Sequence, residues 1–218
     1  MTETDNKDEG EDMKVLIING SPKKDGNTKT AINEMIAQFD KEGVETEVIE
    51  LGGQAIRGCE ACGSCFKTGK GCVFGDIVNE ASAKLEEADG LVVASPVYYA
   101  SPNGTIVSFL DRLFYSSRFD KTMKVGASVA VARRAGVLTT YDTLNKYFAI
   151  NNMPIASANY WNNVFGGAPG EAARDEEGMD TMRVLAKNMA FLMKSITLGK
   201  EAYGLPEYDP KPFTNFIR

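Results

Sequence analysis

Histidine is entirely absent from the 218-residue chain. Its absence excludes Ser-His-Asp and Cys-His catalysis and every histidine-ligated metal site. The sequence also lacks any apolar run of eighteen residues, and it does not begin with a basic and then apolar leader. These absences argue against a membrane span and a secretory signal. We therefore expect a cytoplasmic protein with no membrane partner.

After residue 13 the chain has almost no excess of charge of either sign. The formal net charge is −6, but residues 1–13 contain six acidic side chains and one lysine, so the remainder holds 23 basic and 24 acidic residues. A nearly neutral body argues against nucleic acid as a partner. Residues 1–12 have too little apolar content to order themselves, and we predict a disordered acidic tail there.

Cysteine is scarce, with only four residues, and all of them fall between positions 59 and 72. A segment this short cannot brace a fold of this size as a disulfide framework. In a cytosolic protein such a cluster indicates metal or redox chemistry.

A glycine-rich turn directly follows the first apolar run of the chain. Residues 15–18 are typical of a buried strand, and residues 20–30, GSPKKDGNTKT, lead at once into a helix. Unpaired N–H groups and the positive end of a helix dipole bind anions, so this turn predicts a site for a single phosphate. Five residues separate Gly20 from Gly26, and Asn27 stands where a P-loop has lysine, which argues against a nucleotide triphosphatase. The alternative is a turn that caps the helix without a ligand.

Strand and helix patterns alternate along the rest of the chain. Further strands are predicted at residues 44–49, 91–94, 125–132 and 155–158. Helices are predicted within residues 32–43, 77–88, 106–114 and 175–198. Such alternation produces right-handed crossovers and a parallel sheet with helices on both faces. Because the second strand alternates acidic and apolar residues as an edge strand does, we predict an α/β three-layer sandwich with a five-stranded sheet of order 2-1-3-4-5.

Ligands of such a sheet bind beyond the carboxyl ends of strands 1 and 3. The phosphate turn leaves strand 1 there. A second turn, SPVYYASPNG at residues 95–104, follows strand 3 and offers a rigid bend and two tyrosine rings. A phosphate on the first turn and a flat ring system against the second together fit FMN. The alternative for Tyr98 and Tyr99 is ordinary packing at a strand end.

These two motifs, with Phe109-Leu-Asp-Arg in the third helix, resemble the flavodoxin-like NADPH-dependent FMN reductases over about residues 13–200. The resemblance implies a flavodoxin-like fold. It implies that the FMN phosphate is held by Ser21, Lys23, Gly26, Asn27 and Thr28. It implies that the ring is bordered by Pro96, Val97, Tyr98, Tyr99 and Ser101, with Arg133, Arg134 and Gly136 on a further loop near it. No G-x-G-x-x-G motif follows a strand, so NAD(P)H would stack on the exposed face of the flavin.

The cysteine spacing within loop 52–75, C-x2-C-x2-C-x6-C, makes the resemblance closer. It is similar to the compact motif of the iron–sulfur flavoproteins, the branch of this family that binds FMN and a [4Fe-4S] cluster. The resemblance implies that the cluster ligands are Cys59, Cys62, Cys65 and Cys72. Two acidic residues often follow the last cysteine in that branch, and here Asp76 alone stands near that place. Zinc binding, thiol redox chemistry and purely structural cysteines are the alternatives.

The resemblance also implies a function. Electrons would come from reduced ferredoxin or NAD(P)H and go to quinone, dioxygen, peroxide or a similar small acceptor, with the chemistry at the FMN ring and the cluster as a one-electron relay. The alternatives are a cluster-free NAD(P)H-dependent FMN or quinone reductase and a non-catalytic flavodoxin-like electron carrier. Because the cysteine loop follows strand 2, we expect it at the same sheet edge as the flavin.

The cysteine loop and the extended C-terminal tail, residues 201–218, are poor candidates for packing on their own domain. The tail carries the apolar side chains Leu205, Tyr208, Phe213, Phe216 and Ile217. Left without a partner, these side chains would expose apolar surface. We therefore predict contact with another subunit, in a homodimer or homotetramer.

Overall fold

The computed structural model describes residues 13–210, 212 and 214. The predicted disordered tail, residues 1–12, lies outside the described residues, and so do Phe213, Phe216 and Ile217 of the C-terminal tail. Within the described ranges, no helix combines the length and the apolar character that a membrane crossing requires.

A parallel sheet organises the structure. Its strands are β1 (Met13–Asn19), β2 (Val44–Glu50), β3 (Gly90–Tyr98), β4 (Ser101–Pro102), β5 (Val125–Ala132) and β6 (Asn163–Phe165). The parallel strands lie in the order β2-β1-β3-β5-β6, and the short β4 pairs only with β3. With β4 set aside, this is the predicted 2-1-3-4-5 order.

Helices cover both faces of the sheet. They are α1 (Asn27–Lys41), α2 (Ser64–Thr68), α3 (Ile77–Glu87), α4 (Gly104–Ser116), α5 (Val137–Ala149) and α6 (Glu176–Tyr203). Successive side chains of a strand point to opposite faces, and β1 illustrates this. Val15 and Ile17 pack in the core under α1 and α6, whereas Leu16 and Ile18 pack in the core under α3, α4 and α5. The predicted three-layer sandwich is confirmed.

The last strand differs from the sequence prediction. Of the predicted strand 155–158, Ile155 makes one isolated bridge to Gly126, and the chain re-enters the sheet only at β6. The intervening segment, SANYWN at residues 157–162, ends in Asn162 with a φ of 48°, which is incompatible with a continuous strand. Helix α6 runs to Tyr203 rather than residue 198, and it ends where Gly204, with a φ of 74°, leaves the helical conformation.

The carboxyl ends of the five parallel strands meet at one edge of the sheet. Asn19, the last residue of β1, pairs with Ala94 of β3. The pairing of β3 with β5 and of β5 with β6 brings the ends of these strands to the same level. The cysteine loop therefore starts at this edge after β2. Four other connections leave the sheet beside it: residues 20–26, the β3–β4 hairpin, residues 133–136 and residues 166–170. The candidate cofactor residues lie on these connections.

Candidate functional site

The predicted phosphate turn is compact and leads directly into α1. The Ser21 hydroxyl accepts a hydrogen bond from the Lys23 N–H at 3.1 Å, and the Gly26 N–H donates to the Lys23 carbonyl at 3.3 Å. Helix α1 begins after Gly26, and no side chain of the described part of the protein caps it. The first N–H groups of α1 therefore lack the usual side-chain partner, which is the condition for an anion site.

The predicted phosphate residues divide by burial. Thr28, in the first turn of α1, is only 2% exposed, and Ser21 is also buried. Lys23 is exposed, so its ammonium group is free to approach a bound anion. The structure thus brings Ser21, Lys23, Gly26 and Thr28 together at the start of one helix.

The side chain of Asn27 makes a contact that the sequence did not reveal. Its Nδ2 donates to the Ala168 carbonyl at 3.0 Å, and its Oδ1 accepts from the Ala172 N–H at 3.1 Å. A Cβ at Gly166 would lie 2.8 Å from Asn27 Cγ, so the close approach requires glycine there. The side chain of Asn27 therefore connects α1 to the segment after β6. Because that side chain is engaged, only the backbone N–H of Asn27 is available to a phosphate.

The predicted ring turn is a β-hairpin. Tyr98 pairs with Ser101 across it, and the two residues at its tip, Tyr99 and Ala100, have φ angles of 50° and 56°. Two consecutive residues with positive φ are characteristic of a type I′ turn, which matches the twist of the flanking strands. Tyr98 is exposed and Tyr99 is fully exposed. Strand-end packing therefore does not account for Tyr99.

The loop after β5 packs against this hairpin. Gly136 has a φ of 87°, and a Cβ there would lie 2.6 Å from Ala100 Cα. Pro96 and Val97 are half-buried at the base of the hairpin, and Val97 also contacts the Gly136 position. Arg133 is exposed and lies in the cleft formed with the segment after β6. The structure thus places the third predicted loop beside the ring turn.

Asn103, which the sequence did not single out, joins the phosphate turn to the hairpin. Its Nδ2 donates to the Gly20 carbonyl, its backbone N–H donates to the Ser95 hydroxyl at 3.1 Å, and its Oδ1 accepts from the Ile106 N–H at 2.9 Å. Asparagine directly before a helix is a frequent N-cap, so the capping role of Asn103 could have been predicted from the sequence. No feature of the sequence near Asn103 predicts its hydrogen bond to Gly20.

All four cysteines line one small cavity of about 20 Å³. Cys65 is buried on α2, Cys72 is partly buried, and Cys59 and Cys62 are exposed, all as free thiols. In the described part of the chain, no three cysteine or carboxylate side chains lie close enough to hold a single metal ion. The four cysteines, which are the predicted cluster ligands, therefore line one cavity, but they do not converge on the position of a single metal ion.

A buried arginine on α4 contacts the last cysteine. Arg112 is 1% exposed, and both its Nε and its Nη2 donate to Cys72 Sγ at 3.2 Å. The same guanidinium binds both carboxylate oxygens of Asp76 at 2.7 and 2.8 Å. These hydrogen bonds hold the pKa of Asp76 below its usual value. Asp76, the acidic residue that the sequence singled out, therefore fixes the arginine that contacts Cys72.

Further contacts hold the Cys72 segment in place. The Asn79 side chain accepts from the Cys72 N–H at 2.8 Å and donates to the Cys72 carbonyl at 2.9 Å. The ring of Phe74 has the guanidinium groups of Arg57 and Arg112 each 4.7 Å from its centroid. The backbone around Cys72 is thus fixed by side chains of α3 and α4.

The cysteine cavity does not lie at the carboxyl edge of the sheet, where we expected it. The loop starts at that edge, since a Cβ at Gly52 would lie 3.0 Å from the Ser21 carbonyl oxygen. It then follows α4, which runs back from the edge because it connects the parallel strands β3 and β5. Arg112 comes eight positions after Gly104, which is about 12 Å along a helix at 1.5 Å per residue.

Comparison with known proteins identifies the family. The family model described as NADPH-dependent FMN reductase matches residues 13–167. The chain belongs to the NADPH-dependent FMN reductase family. An iron–sulfur flavoprotein of Methanocaldococcus jannaschii is 35% identical over 84% of this chain and 99% of that protein. An iron–sulfur flavoprotein of Methanosarcina thermophila is 29% identical over 87% of this chain and 100% of its own length. These relatives place this member of the family in the iron–sulfur flavoprotein branch, which confirms the resemblance drawn from the motifs.

Solved structures confirm the fold of this family member. A flavone reductase matches with a TM-score of 0.65 at 20% identity, covering 85% of this chain and 64% of that one. A flavodoxin from the domain Archaea matches with a TM-score of 0.57 at 16% identity, covering 84% and 99%. The fold is the flavodoxin-like α/β fold.

Proposed function

We propose that the chain is an FMN-dependent oxidoreductase with a [4Fe-4S] cluster on its four cysteines. It moves electrons between ferredoxin or NAD(P)H and a small acceptor such as quinone, dioxygen or peroxide. The observation that carries the proposal is that α4 connects two different sites. Asn103, which caps the start of α4, binds the phosphate turn at Gly20. Residues nearer the end of α4 line the cavity that contains the four cysteines. When bound, FMN supplies hydride and single-electron chemistry, and the cluster supplies a single-electron relay.

The residues at the carboxyl edge fit FMN. The backbone N–H groups of Asn27 and Thr28 suit a phosphate, because the turn offers these donors and the dipole of α1 without a competing cap. The hydroxyl of Ser21, which donates to the Lys23 carbonyl at 3.3 Å, would turn to a bound phosphate. The ammonium group of Lys23 adds a positive charge. The exposed Tyr99, with Pro96, Val97, Tyr98 and Ser101 beside it and Arg133 on the neighbouring loop, supports a ring site at the hairpin.

The residues of the cysteine cavity fit an iron–sulfur cluster. Four cysteine thiols line the cavity, and a [4Fe-4S] cluster takes four thiolate ligands, each on a different iron. The two guanidinium donors of Arg112 at Cys72 suit a sulfur that carries negative charge.

The experiment compares wild type with Cys65→Ser, both prepared anaerobically. Iron, acid-labile sulfide and flavin are measured first. We expect wild type to contain all three and Cys65→Ser to lose iron and sulfide while it retains FMN, because the phosphate turn is remote from α2. Lys67→Ala, an exposed change on the same short helix, is the matched control and should keep both cofactors.

Stopped-flow absorbance of the flavin then separates the electron routes. Cys65→Ser should lose flavin reduction by reduced ferredoxin and keep whatever reduction by NAD(P)H the wild type shows. Unchanged ferredoxin-driven reduction in an iron-free variant would rule out the relay. Wild type with flavin but without iron would support the cluster-free reductase, and protein that ignores added FMN in equilibrium dialysis would refute the whole proposal.

We further propose that the protein is a homodimer or homotetramer. Exposed apolar side chains support this, including Ile150 near the cysteine loop, Phe191 and Leu198 on α6, and Tyr208 in the tail. Phe191 and Leu198 are seven positions apart and therefore lie on the same side of α6, and exposed apolar side chains on one face support an interface there. Light scattering at micromolar concentration should give twice or four times the mass of 23.7 kDa. A mass of one chain would contradict the proposal.

A further inference from the structure

Helix α4 carries a second polar side chain at the cysteine cavity, one turn after Arg112. Ser116 follows Arg112 by four positions, so the two side chains share one face of the helix. Both line the cavity that contains the four cysteines. Ser116 is 3% exposed, and its hydroxyl has no hydrogen-bond partner within the described part of the chain.

An unpaired hydroxyl at such a position requires an explanation. Buried hydroxyls nearly always have a partner, because an unmade hydrogen bond in a protein interior is costly. A serine or threonine within a helix commonly donates to the carbonyl four residues earlier. Ser195 and Thr143 do so here, at 2.8 and 2.7 Å. Ser116 does not, so its hydroxyl has no partner in its own helix although the residue lines the cavity.

The neighbouring serine provides a comparison within the same helix end. Ser117 is similarly buried, but its hydroxyl pairs with that of Ser82 at 2.6 Å. The Arg112 donors are likewise engaged, with Cys72, Asp76 and the Arg57 carbonyl. Ser116 therefore differs from these neighbours in having a donor available for a group held in the cavity.

We propose that Ser116 donates a hydrogen bond to a sulfur atom of the cluster site and thereby raises the reduction potential of the cluster. This inference rests on the proposed function, because it needs a cluster in the cavity. Reduction adds one electron to the cluster, and no bond forms or breaks. A donor stabilises the more negative reduced form more than the oxidised form, so it favours reduction.

The test is a potentiometric titration of the FMN- and cluster-loaded protein. Dithionite is the reductant, mediators equilibrate the electrons, and the reduced cluster is counted by electron paramagnetic resonance. In Ser116→Ala we expect the midpoint potential to fall. We expect about a tenfold change in the ratio of oxidised to reduced cluster at a fixed potential, equal to about 59 mV for one electron. Ser116→Thr restores a hydroxyl and should return the potential towards that of wild type.

Ser117→Ala is the matched control, because it removes a buried hydroxyl that already has a protein partner. Its midpoint potential should equal that of wild type. An unchanged potential in Ser116→Ala, or an equal fall in Ser116→Ala and Ser117→Ala, would overturn the inference. Loss of the cluster from Ser116→Ala alone would assign the hydroxyl to holding the cluster and would also overturn it. A wild-type protein that takes up no iron would instead refute the proposed function, so the two failures are distinct.

Discussion

Arg112→Met should lower the free energy of unfolding by about 2–3 kcal/mol at pH 7. Removing one partner of a fully buried ion pair costs about 3–5 kcal/mol, but the Asp76 side chain is 34% exposed, so water solvates part of the remaining charge. The methionine also leaves Cys72 and the Arg57 carbonyl without their guanidinium donors. The expected loss is therefore substantial but smaller than the value for a fully buried pair.

The assay is urea unfolding of the flavin-free and iron-free protein with reduced thiols, followed by circular dichroism, so that a two-state treatment applies. The pH dependence identifies the cause. The folded-state pKa of Asp76 is depressed from 3.8. The ion pair therefore contributes fully to the free energy of unfolding when the pH is above that value, and this contribution is lost as the pH falls through the folded-state pKa. The difference between wild type and Arg112→Met should therefore narrow from pH 5 to pH 3.

Arg118→Met is the matched control. Arg118 is exposed and stacks on Phe66 at 4.5 Å from the ring centroid, without a salt bridge to a described carboxylate. Its replacement should change the unfolding free energy by about 1 kcal/mol or less. An Arg112→Met protein as stable as wild type, or a difference that does not depend on pH, would refute the reasoning about the Asp76 pair.

Two further changes test the flavin site. Thr28→Glu should weaken FMN binding at least a hundredfold in equilibrium dialysis, because the phosphate loses a hydrogen bond worth about 1.5–3 kcal/mol and meets a like charge. Unchanged affinity would contradict the phosphate assignment. Asn103→Ala removes the cap of α4 and the bond to Gly20, so it should lower the free energy of unfolding by about 1–2 kcal/mol and weaken FMN binding. Asn33→Ala, an exposed change on α1, is its control, and equal effects of the two variants would contradict the role of Asn103.

The sequence predicted the parts of the fold whose signals are local. The apolar run of β1 stands next to its glycine-rich turn, and both appear in the structure as expected. The four cysteines lie within one short segment, so any compact path of that segment brings them together. The sequence analysis missed strand β6 because only Val164 and Phe165 give it an apolar pattern. It placed the last strand at residues 155–158 instead, where Ile155 makes only an isolated bridge to Gly126.

Contacts between distant segments could not be predicted in this way. Nothing near Asn27 indicates that its amide binds Ala168 and Ala172. Likewise, the arginine of the Phe109-Leu-Asp-Arg motif shows no sign in the sequence that it contacts Cys72. The position of the cysteine cavity was mispredicted because strand order determines where a long loop begins, whereas its packing partners determine where it goes.

Helix α4 acts as a rigid spacer between the two candidate sites. Asn103 fixes its first turn to the phosphate turn, and Arg112 fixes a later turn to Cys72, so the number of helical residues between them sets both a length and an angle. One residue inserted between these positions would rotate everything beyond it by about 100° and turn the guanidinium away from Cys72. An insertion in the exposed residues 53–55, before the first cysteine, would change neither end of the helix nor the spacing of the cysteines. Length variation among relatives should therefore be tolerated at residues 53–55 and strongly disfavoured in α4.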